Sequence, residues 1–150
     1  VMGHLLWLTL RIAIASAAVV AAMMLFPSVR ALGLIPSIAF ATIAGVAWGM
    51  VVLAYSSFQE RDTAFVTLQR FVMIPLFLFG GAFFPIEQLP GWLQLLVKVT
   101  PLWHGIELSR GVVDHTLGFT TAVGHLAYLG LWIVVGMVIA ARQFKKRLGS

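Results

Sequence analysis

The residues with chemical capacity cluster in one short stretch. His104 and Glu107 stand three apart, so one helix face would carry both and offer two metal ligands, with Asp114 and His115 as further donors after a turn at Gly111. The simpler pairing joins Glu107 to Arg110 at i, i+3 and leaves His104 beside Trp103 at a headgroup boundary; no metal site is carried forward. Ser109 has no base and acid nearby to complete a triad, so a lipid hydrolase lacks its catalytic set. Further along, His125 sits inside a long apolar run, where a neutral, hydrogen-bonded packing role outweighs a proton relay.

Nucleotide chemistry has no foothold either. No GxxxxGK[ST] loop occurs, because the lysines are Lys98, Lys145 and Lys146 and none follows a glycine. The chain therefore reads as a non-enzyme that binds no cofactor of its own. Glu60, Arg61 and Asp62 form the one dense charge cluster, a candidate ATPase contact or equally a solvated turn in which Asp62 caps the next helix. Without cysteine, neither a disulfide nor a thiolate metal site is available.

The elements that must position these residues belong in a bilayer. Hydrophobic residues make up 61% of the chain and charged residues 10%, against about 25% charged in soluble domains. The net charge of +5 would suggest nucleic acid in a soluble protein. Here Arg142, Lys145, Lys146 and Arg147 follow directly on an apolar run, where cytosolic anchoring explains them. A hydrocarbon core about 30 Å thick takes about 20 helical residues to cross.

The expected fold is all-α and integral to the membrane. Four transmembrane helices are placed at about 3–26, 32–58, 63–84 and 117–141, with a re-entrant helical hairpin at about 86–114 between the third and fourth. Pro90 and Pro101 start the two hairpin helices, each about ten to twelve residues long and so too short to cross. Seven cations against three across the short loops put both ends in the cytosol. Arg11 snorkels to that interface, and Arg70 either does the same or serves as a functional intramembrane charge. Ala13, Ala17 and Ala21, and the Gly45–Gly49 pair, offer small-residue faces for close helix packing.

The stretch FLFGGAFFPIEQLPGWLQLLVKVTPLWHGIELSRG, with the helix before it, has a distinctive order: Pro75 within a helix, Gly80 with Gly81, Phe84 with Pro85, Leu89 with Pro90, and Pro101 ahead of a helix centred on Glu107. It resembles the C-terminal signature of permease subunits of type-2 ABC exporters, the family of nodulation lipooligosaccharide and daunorubicin-type drug exporters. The resemblance implies a subunit of an ATP-driven exporter in a bacterial plasma (inner) membrane. Its cargo would be amphipathic or lipid-linked: a drug, lipooligosaccharide or polysaccharide moved out of the cytoplasm. It also implies a second permease copy and a separate ATP-binding cassette subunit that holds ATP and Mg, within membrane lipid and without nucleic acid. Family members usually have six spans, so two spans and the main coupling segment would precede Val1. Phe77, Phe79, Phe83 and Phe84 are the candidate pathway residues, although a Phe-rich face could equally meet lipid. The alternative from another class is a structural or assembly membrane protein without cargo.

Overall fold

The computed structural model describes residues 2–25, 33–58, 66–67, 69–82 and 85–148. Two long helices come first, α1 (Met2–Met24) and α2 (Leu34–Phe58). A helical segment α3 follows, made of Gln69–Met73, Ile74–Phe77 and Leu78–Ala82. After a 3₁₀ turn at Ile86–Gln88 come α4 (Gly91–Val99), α5 (Pro101–Val113) and the last long helix, α6 (Phe119–Leu148). Stretches long and apolar enough to cross a membrane occur at Leu5–Met24, Leu34–Phe58 and Phe119–Gln143. They match the first, second and fourth expected spans, and α4 and α5 match the two expected hairpin helices.

Two helices differ from expectation, each for a local reason. The third apolar helix is described over Gln69–Gly81, while residues 63–65, 68, 83 and 84 of the expected span lie outside the described residues; within it the helix is irregular. Pro75 lacks an N–H and its ring presses on the carbonyl four residues earlier, so wide π turns flank the short α stretch at Ile74–Phe77. Gly81 then adopts φ +94°, a conformation that favours glycine and kinks the segment there. The other is α6, which runs on to Leu148 instead of stopping near 141. Arg, Gln, Lys and Leu in its tail are good helix formers, so the helix outlasts the apolar run.

Packing centres on α2, which touches α1, α5 and α6. A Cβ at Gly45 would lie 2.8 Å from Ile12, and one at Gly49 2.7 Å from Leu8, so this glycine pair is the face that seats α1. Ala17 and Ala21 are exposed among the described residues. On the opposite side Gly105 meets Ala44 so closely that no Cβ would fit between them. Leu108 is fully buried there with Ala47 and Leu129.

Contact order fixes the helix directions. Ile12 and Leu8 meet Gly45 and Gly49 in reverse sequence, and so do Val112 and Gly105 against Gly33 and Ala44. Hence α1 and α5 both run antiparallel to α2. Leu117 and His125 meet Gly111 and His104, again reversed, so α6 runs antiparallel to α5 and parallel to α2. The short helix α5 therefore lies between the first halves of two long ones.

Gly105→Val should overpack the α2–α5 contact and cost about 1–3 kcal/mol. Gly124→Ala, a site with open space around it, should hold stability or raise it by up to about 1 kcal/mol. Thermal unfolding of both variants in detergent, against the parent chain, measures the contrast.

Candidate functional site

The corner between α4 and α5 concentrates the polar contacts. Helix α4 ends at Val99 because Thr100 takes an extended backbone (φ −82°, ψ 143°) and Pro101 has no N–H to continue the ladder. The last carbonyls of α4 then lack helical partners and must find others. Thr100 donates to the Val97 carbonyl through its N–H at 3.0 Å and its hydroxyl at 2.7 Å. His104 Nε2 lies 3.0 Å from the Lys98 carbonyl, and the Tyr128 hydroxyl donates to the Val99 carbonyl at 2.6 Å.

These contacts also assign the protons on the histidines. His104 Nδ1 faces His125 Nδ1 at 2.6 Å. A carbonyl can only accept, so His104 carries its proton on Nε2; its neutral ring then accepts at Nδ1, and His125 Nδ1–H donates. The His104 ring stacks on Tyr128 with centroids 4.1 Å apart and meets Trp103 edge-on at 4.9 Å. The Lys98 ammonium sits 5.9 Å from the centre of the Trp103 ring, whose Nε1 is buried without a partner. Burial first, and the neighbouring His125 second, hold His104 below the usual histidine range, opposed by the Lys98 carbonyl.

A second cluster fastens the end of α3. Arg110 donates through Nη2 to the Gly81 carbonyl at 2.7 Å and through Nη1 to Glu107 at 3.2 Å. The same break places Gly80 against Leu102 and Gly81 against Ile86 and Trp103, so α3 ends on the first turn of α5. Pro85 caps the 3₁₀ turn and Pro90 caps α4, while Gln94 Nε2 donates to the Leu89 carbonyl at 2.9 Å.

Of the residues singled out in the sequence, Gly80, Gly81, Pro101 and Glu107 converge on these two clusters. Glu107 pairs with Arg110 at i, i+3. Pro85, Leu89 and Pro90 shape the connection, and Pro75 lies within α3. Phe77 and Phe79 are exposed on α3. Phe83, Phe84, Glu60, Arg61 and Asp62 lie outside the described residues. Among the described residues no three potential metal ligands cluster, and Asp114 and His115 are exposed.

Sequence reading passed over Tyr128. Its signal was available: Pro101 leaves carbonyls of α4 unpaired, and Tyr128 is one turn beyond His125 in the facing span. Helices α1, α2 and α5 also enclose an open apolar groove of about 700 Å³, which neither Phe77 nor Phe79 lines.

The sequence profile of the ABC-2 type transporter family matches residues 1–113. Nodulation protein J of Rhizobium leguminosarum bv. trifolii is 30% identical over 152 residues, which cover 99% of this chain and 56% of that protein. Nodulation protein J of Rhizobium meliloti is 31% identical over 153 residues, with 99% and 56% covered. The protein of the same name from Sinorhizobium fredii is 27% identical over 154 residues, with 100% and 57% covered. The chain thus spans about half the length of the curated relatives it matches. No solved structure matches it.

Tyr128→Phe should cost about 0.5–1.5 kcal/mol by leaving the Val99 carbonyl without its donor. His104→Gln keeps a donor for the Lys98 carbonyl and removes the titration. The folded chain takes up the His104 proton at lower pH than the unfolded chain. Its stabilising contribution is therefore complete above the ordinary pKa of about 6.5 and falls away as pH drops through the lowered value. Thermal unfolding followed from about pH 8 to about pH 5 should show the parent losing more stability than His104→Gln.

Proposed function

This chain belongs to the ABC-2 type transporter family, and from that premise we propose that it is the permease part of an ATP-driven exporter. As a multi-pass membrane component it supplies helices, and the proposed ATP hydrolysis, with its Mg, takes place on a separate ATP-binding cassette subunit. A second permease copy completes the proposed pathway. Amphipathic or lipid-linked cargo such as a drug, lipooligosaccharide or polysaccharide is the proposed class, supported by the apolar surfaces that line the groove. Exposed Phe77 and Phe79 are proposed pathway contacts, and Glu60, Arg61 and Asp62 a proposed ATPase contact.

The observation that carries this reading is the depth of the α4–α5 corner. Ala44 lies about 15 Å along α2 from Leu34, and Tyr128 about 13 Å along α6 from Phe119, at a rise of about 1.5 Å per residue. Both touch the hairpin, Ala44 at Gly105 and Tyr128 at Val99. With Leu34 and Phe119 taken at one edge of the membrane, this supports a position for Thr100 near the middle of a core about 30 Å thick.

We propose that α4 and α5 form a re-entrant hairpin and that α3 is the third crossing of four. Both ends are placed in the cytosol of a bacterial inner membrane, supported by Arg142 and the lysines behind it on α6. The hairpin would close the outer end of the pathway, and ATP-driven rearrangement of the helices would open it.

Full-length protein extracted in mild detergent should carry an ATP-binding cassette subunit with it; recovery alone would favour a structural or assembly role. This chain has no cysteine, so single sites placed in it report topology once any cysteine elsewhere in the full-length protein has been replaced. Trp92→Cys should react with an impermeant thiol reagent applied outside the cell, and Lys145→Cys only after permeabilisation. The opposite pattern overturns the proposed orientation.

A further inference from the structure

His104 on α5 and His125 on α6 meet ring to ring, and their contacts determine where further protons can go. His104 Nε2–H donates to the Lys98 carbonyl at 3.0 Å, so the one lone pair of that ring is on Nδ1, where His125 Nδ1–H donates at 2.6 Å. This leaves His125 Nε2 as the open lone pair of the two rings, and it bonds to no other described residue.

A proton added at His125 Nε2 breaks no bond. The ring becomes an imidazolium, its Nδ1–H still donates to His104, and that hydrogen bond gains strength from the charge. Glu107 lies close enough for its carboxylate to act on that charge. A second proton has one place to go, His104 Nδ1. It would set two N–H groups against each other and bring two cations together with ring centres 4.8 Å apart.

The surrounding charges oppose that second step as well. Lys98 comes from α4, Glu107 and Arg110 from α5, and the Tyr128 phenol, which stacks on His104, from α6. Helix α2 carries no charged residue over 34–58, and the end of α3 reaches α5 through Gly80 and Gly81. A charged His104 would join Lys98, Arg110 and charged His125 with only the Glu107 carboxylate, among the described residues here, to balance them.

We propose that His104 and His125 are a proton-sensing tie between the hairpin and α6, which tightens when it takes one proton and opens when it takes two. The first proton belongs to His125 Nε2 and the second to His104 Nδ1. After the second, the Tyr128 hydroxyl on the Val99 carbonyl remains as the other link between the corner and α6. The tie needs only the packing of α5 against α6, so it is independent of cargo and of ATP.

Full-length protein in lipid, grown with nitrogen-15-labelled histidine, is followed by magic-angle-spinning NMR as pH falls from about 8. Nitrogen shifts report the charge and tautomer of each ring, single His→Gln variants assign them, and a cross-peak between the two Nδ1 atoms reports the contact. His125 should charge first with the cross-peak kept, and the cross-peak should be lost as His104 charges. Glu107→Gln keeps an acceptor for Arg110 and should weaken the first proton about two- to fivefold, the range of an exposed ion pair. If the parent unfolds before His104 charges, His104→Gln should stay folded to lower pH. The proposal is overturned if His104 charges first, if both rings charge in one step, or if the cross-peak persists with both charged. Unfolding of the parent and His104→Gln at the same pH, before His104 charges, overturns it too.

Discussion

A backbone carbonyl left without a helical partner needs another donor, and the packing around α5 answers that need. The backbone breaks helical pairing at Gly81 and again at Thr100–Pro101, both level with the first turn of α5 and well inside the long helices. Each break is covered by a side chain from elsewhere: Arg110 on the Gly81 carbonyl, His104 on Lys98, Tyr128 on Val99. All three donors belong to α5 and α6. Of the three, Tyr128 reaches across from α6, so its bond to Val99 ties the α4–α5 corner to that helix.

How much of this could be read from the sequence depended on whether the cause was local. A helix that crosses a membrane satisfies its own backbone, so the length of an apolar run locates α1, α2 and α6 without further information. The hairpin helices were legible for a related reason, because Pro90 and Pro101 mark their starts. The irregularity of α3 was not, since hydropathy counts apolar residues and is blind to the π turns at Pro75 and the reversal at Gly81. The same split runs through the site. Glu107 with Arg110 is an i, i+3 pair and visible at once, whereas Arg110 with Gly81 and Tyr128 with Val99 are each separated by 29 residues and become visible only when the helices are packed.

Close packing is the second determinant, and small residues provide it. Between helices surrounded by lipid there is little hydrophobic gain in association, so van der Waals contact at short range carries the weight. Gly105 on Ala44 and Gly136 on the Met50 backbone let α5 and α6 approach α2 closely. The two hairpin helices consequently differ in kind. Helix α5 is wedged in the bundle around fully buried Leu108, while α4 holds on through Val97 and turns Trp92, Leu95, Leu96 and Val99 outward as a stripe at i, i+3, i+4 and i+7.

That asymmetry bears on how movement would pass through the molecule. The end of α3 rests on α5 and is tied to it by Arg110, and the α4–α5 corner is tied to α6 by His104, His125 and Tyr128. Separating Arg110 from Gly81 or Tyr128 from Val99 would take a donor from a backbone carbonyl, a cost that sliding two apolar faces past each other does not carry. The end of α3, α5 and the first half of α6 should therefore shift together. Bending falls instead to the proline-flanked turn from 85 to 90, which none of these side chains holds. A displacement of α3 would then move the hairpin as one piece against α1, changing the width of the groove between them without breaking a single backbone pairing.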